Sequence, residues 1–164
     1  GILRPVEDKD AERIALLANN YNVWINMRDV FPNPYKLEDA KAWISACSNQ
    51  KVTDFFAIEI DGEFAGGIGI TLKNDIYKHT AELGYWLGES YWRKGIMSSS
   101  INQFVEYVFE SFDIVRIEAR VFEHNYASTR LLMKAGFLQE ARLKMNVTKE
   151  KKTFDELIFA KIKS

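Results

Sequence analysis

The cleanest hydrophobic pattern in the chain lies between residues 98 and 112. Ile101, Phe104, Val105, Val108, Phe109 and Phe112 fall at i, i+3, i+4, i+7, i+8 and i+11, the spacing of one buried helix face. The same period puts Ala11, Ile14, Ala15 and Ala18 on a helix behind an Asp8 N-cap, and Ala40, Trp43, Ile44 and Cys47 on a second helix. Between these two, Pro32 and Pro34 break helical structure, so residues 19–36 are expected to be irregular. Strand patterns fill the rest. Ile2 to Val6 reads as a short strand. Phe55–Ile60 and Glu63–Ile70 flank Asp61-Gly62, a hairpin signal, and Thr80–Leu87 is a third strand with Gly84 inside it. After the long helix come a strand at Arg116–Val121 and a short helix at Ala127–Ala135. Gly136 and Phe137 suit a Schellman ending, with Phe137 touching Leu132. Leu138–Val147 and Thr153–Ile162 are the last strands. A strand–helix–strand crossover beside meander strands predicts an α/β (α+β) fold. Its central sheet is mixed and mostly antiparallel, with helices on both faces, in a single domain over residues 1–164.

Composition changes this picture by exclusion. Net charge is −1, from 22 basic and 23 acidic residues, which argues against a broad nucleic-acid-binding surface. One cysteine excludes an intramolecular disulfide framework, and one cysteine with two histidines argues against a structural zinc. No metal is expected. Apolar runs fall short of the roughly 18 residues of a membrane span, so a cytoplasmic protein without membrane contact is expected. Cys47 reads as a core residue, with a reactive thiol as the alternative. Charge is uneven: residues 142–164 carry seven basic and three acidic side chains. They form either a solvated strand pair or a partner-binding patch.

Candidate chemistry concentrates between the third strand and the long helix. In Glu89-Ser-Tyr-Trp-Arg-Lys-Gly-Ile-Met-Ser98, Gly95 allows a tight turn into a helix start near Ser98. There, unpaired backbone N–H groups and about half a positive charge attract anions. Arg93 and Lys94 add basic charge. The segment lacks the P-loop pattern, and Gly66-Gly-Ile-Gly69 lies inside a strand, not at a strand-to-helix turn, so it is no dinucleotide fingerprint.

Tyr91-Trp-Arg-Lys-Gly-Ile-Met-Ser98 resembles motif A of the GNAT superfamily of N-acetyltransferases, whose Q/R-x-x-G-x-G/A loop binds the pyrophosphate of acetyl-coenzyme A. Gly95 matches the first glycine. Trp92 stands where Gln or Arg is usual, and Met97 where Gly or Ala is usual. Asn125-Tyr-Ala-Ser-Thr-Arg-Leu-Leu-Met-Lys-Ala-Gly-Phe137 is similar to N-x-x-S-x-R-x-x-x-K-x-G-F of the branch resembling the ribosomal-protein N-terminal (alanine/serine) acetyltransferases. Ala81-Glu-Leu-Gly-Tyr-Trp-Leu87 and Phe31-Pro-Asn-Pro-Tyr35 also look like that branch.

The resemblance implies a sheet splayed between the fourth and fifth strands, with the pantetheine arm of acetyl-CoA in the gap. Trp86 and Leu87 would supply main-chain bonds to it. Arg93, Lys94, Gly95, Ile96, Met97 and Ser98 would surround the pyrophosphate, and Asn125 would bond the pantetheine or simply cap the short helix. A backbone N–H at Gly84–Tyr85 is the candidate oxyanion donor. The family's usual acid, a Tyr seven residues after the motif's Asn, is here Leu132. Ser128 is the candidate to stabilise the departing thiolate, with an N-cap role as its alternative. Glu82 is the candidate base, Glu118 the runner-up, and His124 a weaker third; a solvated strand face would explain Glu82 as well. Residues 19–36 would meet the acceptor through Trp24, Arg28 and Tyr35. The acceptor is an amine: a protein N-terminus, a polyamine, an amino acid or an aminoglycoside. The expected protein is therefore an acetyl-CoA-dependent N-acetyltransferase, monomer or homodimer. A non-catalytic coenzyme-A-binding sensor or scaffold is the alternative, and a cofactor-free interaction domain the third reading.

Overall fold

Alternation and helical period resolve into seven strands and five helices in the computed structural model, which describes residues 1–49 and 53–164. The strands are β1 (Ile2–Pro5), β2 (Thr53–Ile60), β3 (Glu63–Leu72), β4 (Thr80–Leu87), β5 (Arg116–Phe122), β6 (Leu138–Lys149) and β7 (Lys152–Ile162). The helices are α1 (Ala11–Ala18), α2 (Tyr21–Trp24), α3 (Leu37–Asn49), α4 (Ile96–Ser111) and α5 (Tyr126–Lys134). One sheet joins the strands in the order β1-β2-β3-β4-β5-β7-β6. Every pairing is antiparallel except β4 with β5. The expected mixed, mostly antiparallel sheet is observed.

Each sheet face is covered by its own helices. Ala57 and Phe64 pack under Ile14, Ala18, Ala40 and Ile44 of α1 and α3. Ile58, Ile68, Ile70, Leu83 and Ile117 pack under Ile101, Phe104 and Val108 of α4 and Leu132 of α5. The change of face between Ala57 and Ile58 is the period-two alternation of a strand buried on both sides. Gly69 faces α3, and a Cβ there would overlap the Phe55 ring. The missing side chain lets that ring lie against Trp43, 6.0 Å away between centroids.

Several boundaries differ from the expectation, each for a local reason. A single 3₁₀ turn at Asp8–Asp10 precedes α1, so Asp8 is not its N-cap. Instead the Asp10 carboxylate accepts from the Glu7 N–H (2.8 Å) and from both terminal nitrogens of Arg4 (2.9 and 2.8 Å). Residues 19–36 contain α2, a short turn that the Asn20 side chain caps by accepting from the N–H groups of Asn22 and Val23. Helix α4 starts at Ile96 rather than near Ser98, and α5 starts at Tyr126 rather than Ala127. The Schellman ending of α5 is present: Phe137 N–H reaches Leu132 O (2.9 Å) and Gly136 N–H reaches Met133 O (3.0 Å).

The basic C-terminal segment is strand, and several of its cations are paired, with Lys149 buried and Arg142 exposed. Arg142 bonds Asp155 at 2.6 Å, and Lys161 Nζ donates to Ala135 O at 2.7 Å, at the C-terminal end of α5. Lys149 Nζ bonds Asp29 at 2.9 Å and sits 3.7 Å from the centre of the Trp24 ring. The β6–β7 end thereby clasps the segment between α1 and α3.

Asp10 is 3% exposed. Burial alone raises its pKa, but the Arg4 hydrogen bonds and the Glu7 N–H outweigh it and hold the carboxyl below its ordinary value. A carboxyl lowered in this way contributes stability above the pH where the unfolded group ionises, and loses it as pH falls through the folded-state value. Asp10→Asn, which weakens charge-assisted hydrogen bonds from a partly exposed Arg4, should therefore cost about 2 kcal/mol in urea unfolding at pH 7. The gap to the unsubstituted protein should close in strong acid; a gap that stays constant with pH would refute the account.

Candidate active site

Strands β4 and β5 pair at only three positions, Thr80↔Arg116, Ala81↔Ile117 and Glu82↔Glu118. Beyond them the strands separate, and a cleft of about 1080 Å³ opens in the gap. Two bonds fix which main-chain groups of β4 look into it. Thr80 O accepts from Lys73 N–H, and Gly88 N–H donates to Ala65 O; both lie on the β3 side. Backbone polar groups alternate in direction along a strand. Those of Glu82, Gly84 and Trp86 therefore serve β3, and those of Leu83, Tyr85 and Leu87 face the gap. The Trp86 main chain, expected to bond the pantetheine, is therefore turned toward β3, and the groups open to the gap are those of Tyr85 and the Leu87 N–H. The Trp86 ring instead packs 5.7 Å from both Phe31 and Phe64 on the α1–α3 face.

The loop after β4 is pinned at its base. Trp92 Nε1 donates to Leu87 O at 2.8 Å, which gives the indole a structural use where the family pattern has Gln or Arg. Arg93 (φ 63°) and Gly95 (φ 76°) then take left-handed conformations, and α4 begins. Nothing crowds a Cβ at Gly95, so the glycine answers to its φ rather than to space. No side chain caps α4, and its first intrahelical bond runs from Ser99 N–H to Gly95 O. The N–H groups of Ile96, Met97 and Ser98 lie ahead of that bond. With Arg93 they border the cleft as an anion cradle. Met97 is in ordinary helical conformation with its side chain in the core, so this position requires no glycine. Lys94 is exposed and does not line the cleft.

The opposite wall is α5. Asn125 Oδ1 accepts from Ser128 N–H at 3.2 Å. Asn125 is therefore the N-cap, and Ser128 is the third helical residue rather than a cap. The Ser128 side chain is buried and its Oγ hydrogen-bonds the Tyr85 hydroxyl. Leu132 lies entirely within the core, so α5 presents no phenol at that position. Sequence reasoning used only the backbone N–H at Gly84–Tyr85 and missed the Tyr85 side chain. Its signal was the alternation of β4, which sends Ala81, Leu83, Tyr85 and Leu87 to the α4–α5 face.

The side of the cleft where the acceptor is expected mixes charge with aromatics. Glu82 Oε1 accepts from Arg28 at 2.8 Å, with Arg120 3.6 Å away, and Arg120 also bonds Glu156 at 3.1 Å. Tyr35 is buried beside Phe31, and burial pushes its phenol up to about 12. Arg28, Glu82 and Tyr35 all line the cleft. Trp24 does not; its ring lies under Lys149. Glu118 also lies outside the cleft lining. Its carboxyl bonds Lys73 at 2.7 Å and Arg116 at 2.8 Å, and these bonds hold it below its usual range against the effect of burial. The His124 ring stacks edge-on against Phe154 outside the lining, 4.7 Å between centroids. Cys47 is half-buried with its thiol pushed up to about 11 by burial, which suits packing rather than reactivity. Among the described residues no cluster of three or more His, Cys, Asp or Glu side chains is arranged to hold a metal ion, and no helix is long and apolar enough to cross a membrane.

An unpaired strand edge leading to an uncapped helix start suits a ligand with an extended amide arm and a pyrophosphate. Coenzyme A has both. Comparison with known proteins agrees. Residues 2–138 match the model of the acetyltransferase (GNAT) domain. The chain is 31% identical over 167 residues to the uncharacterized N-acetyltransferase YoaA of Bacillus subtilis, covering 99% of this chain and 93% of that one. It is 27% identical over 145 residues to the spermidine N(1)-acetyltransferase of Escherichia coli, covering 86% and 74%. The fold superposes with a TM-score of 0.87 on RimL, a ribosomal L7/L12 alpha-N-protein acetyltransferase solved with coenzyme A, at 21% identity and with 98% and 92% covered. Splayed sheet, anion cradle and family match converge: the chain belongs to the GNAT acetyltransferases and is an acetyl-CoA-dependent N-acetyltransferase.

Proposed function

We propose that the chain acetylates a primary amine on a cationic acceptor, a protein N-terminus or a polyamine, with Glu82 as the base that meets it. The observation that carries this reading is the Arg28 guanidinium held 2.8 Å from the Glu82 carboxylate at the acceptor side of the cleft. Arg28 is largely exposed, so an incoming ammonium can displace it from the carboxylate. Relatives point to the same two acceptor classes, spermidine in one and a ribosomal-protein N-terminus in another.

The cosubstrate supplies an activated acetyl group as a thioester; the remaining work belongs to the chain. The N–H groups of Ile96, Met97 and Ser98, with Arg93, hold the pyrophosphate. The main chain of Tyr85 and Leu87 aligns the pantetheine, and the Asn125 amide, whose oxygen caps α5, offers its NH₂ to it. The Tyr85 N–H, facing the gap, suits the developing oxyanion. Ser128 faces the leaving sulfur. Glu82 takes the amine proton directly or through water. This matters most for a lysine-like amine, which titrates near 10.4, and less for an α-amine, near 7.7 to 8.0. Tyr35 and Arg28 border the acceptor. The reading includes a single cytoplasmic domain, monomeric or homodimeric.

An acceptor panel with thiol detection is the direct test: peptide N-termini and polyamines should release thiol from acetyl-CoA, and failure of every cationic amine would overturn the reading. Glu82→Gln should lower kcat/KM about a hundredfold with the Kd for acetyl-CoA unchanged; an unchanged kcat/KM removes Glu82 as base. Gly95→Ala forces a left-handed alanine, which costs about 1 to 2 kcal/mol. It should weaken acetyl-CoA binding about tenfold in calorimetry while leaving the acceptor KM unchanged.

A further inference from the structure

The leaving thiolate poses a problem that α5 alone does not solve. Leu132 fills the position of the family's phenol and is sealed in the core. Ser128 remains, but a free hydroxyl rotates. It has one proton and two lone pairs, and an unconstrained rotor points that proton at the sulfur only part of the time. The structure supplies a constraint from the other wall of the cleft. Tyr85 leaves β4 on the α4–α5 face, and its hydroxyl meets Ser128 Oγ. Both residues line the cleft, and the Asn125 cap fixes the Ser128 backbone.

We propose that Tyr85 is a positioning residue for Ser128: its phenol donates to Ser128 Oγ and so commits the single Ser128 proton to the thioester sulfur. This rests on the reading of Ser128 as the group facing the leaving sulfur. Burial pushes the Tyr85 phenol up to about 12, so it keeps its proton at neutral pH and remains a donor. In the reaction the C–N bond forms and the C–S bond breaks with its electron pair passing to sulfur. The amine proton goes to Glu82 or water. The thiolate is held by the Ser128 hydrogen bond and takes its proton from solvent on release, and Tyr85 gives up none. A donor already oriented before reaction costs no reorganisation when charge develops.

The test is a double-mutant cycle on turnover. Tyr85→Phe should lower kcat about tenfold, about the worth of one hydrogen bond made only in the transition state, with the Kd for acetyl-CoA, the acceptor KM and Tm little changed. In a Ser128→Ala background the same Tyr85→Phe change should have no further effect on kcat. A further drop in that background would mean that Tyr85 meets the sulfur itself or acts through packing, and would overturn the proposal. Loss of acetyl-CoA binding in Tyr85→Phe would overturn it as well. If Ser128→Ala alone leaves kcat unchanged, the reading of Ser128 fails and this inference with it. A drop in Ser128→Ala without one in Tyr85→Phe removes only the part assigned here to Tyr85.

Discussion

Everything functional in this molecule depends on two neighbouring strands that stop pairing. Parallel strands β4 and β5 share three residue pairs and then part. Past that point each strand keeps a partner only on its outer side, β3 for one and β7 for the other. Buried main-chain N–H and C=O groups need partners, so an internal strand edge facing a cleft is a template for an extended ligand. The pantetheine arm of acetyl-CoA has the amides to pair with it. The same parting leaves the start of α4 open at the end of β4, so the edge leads straight to the anion cradle.

Both faces of the sheet place side chains at that gap. On one face Tyr85 leans toward α5 and its hydroxyl meets Ser128, spanning the cleft where the strands do not. On the other, Glu82 and the Trp86 ring look toward the segment between α1 and α3, which carries Arg28, Phe31 and Tyr35. That segment has little regular structure of its own, and the β6–β7 end holds it through Lys149 on Asp29 and Trp24, and Glu150 on Tyr21. Residues more than a hundred apart in sequence thus fix this wall of the cleft.

The elements themselves were largely legible, because long periodic segments carry their own evidence. The face of α4, the Asp61-Gly62 hairpin and the Gly136–Phe137 ending of α5 could be read from spacing. The anion loop was not legible in that way: a glycine and two basic residues between a strand and a helix are ordinary, and it was the resemblance to motif A that singled the segment out. Capping was less legible. Asp8, Asp10 and Asn20 are all plausible caps by type, and the choice fell to partners elsewhere: Arg4 reaches Asp10 from β1, and a turn forms at Asn20 inside a segment whose prolines lie further on.

By itself, then, the sequence determined the fold class, the family and the cosubstrate, and pointed to the loop before α4 as the candidate anion site, because each depends on residues close together in the chain. Only the tertiary structure decided the roles of single side chains. It turned the backbone of Trp86 toward β3 and that of Tyr85 into the gap, since direction along a strand is fixed by the neighbour it pairs with. It pointed Trp24 at Lys149 and left Lys94 in solvent. It also brought Tyr85 to Ser128, 43 residues further along the chain, a contact that no local spacing encodes because it spans two elements joined only through the packed core.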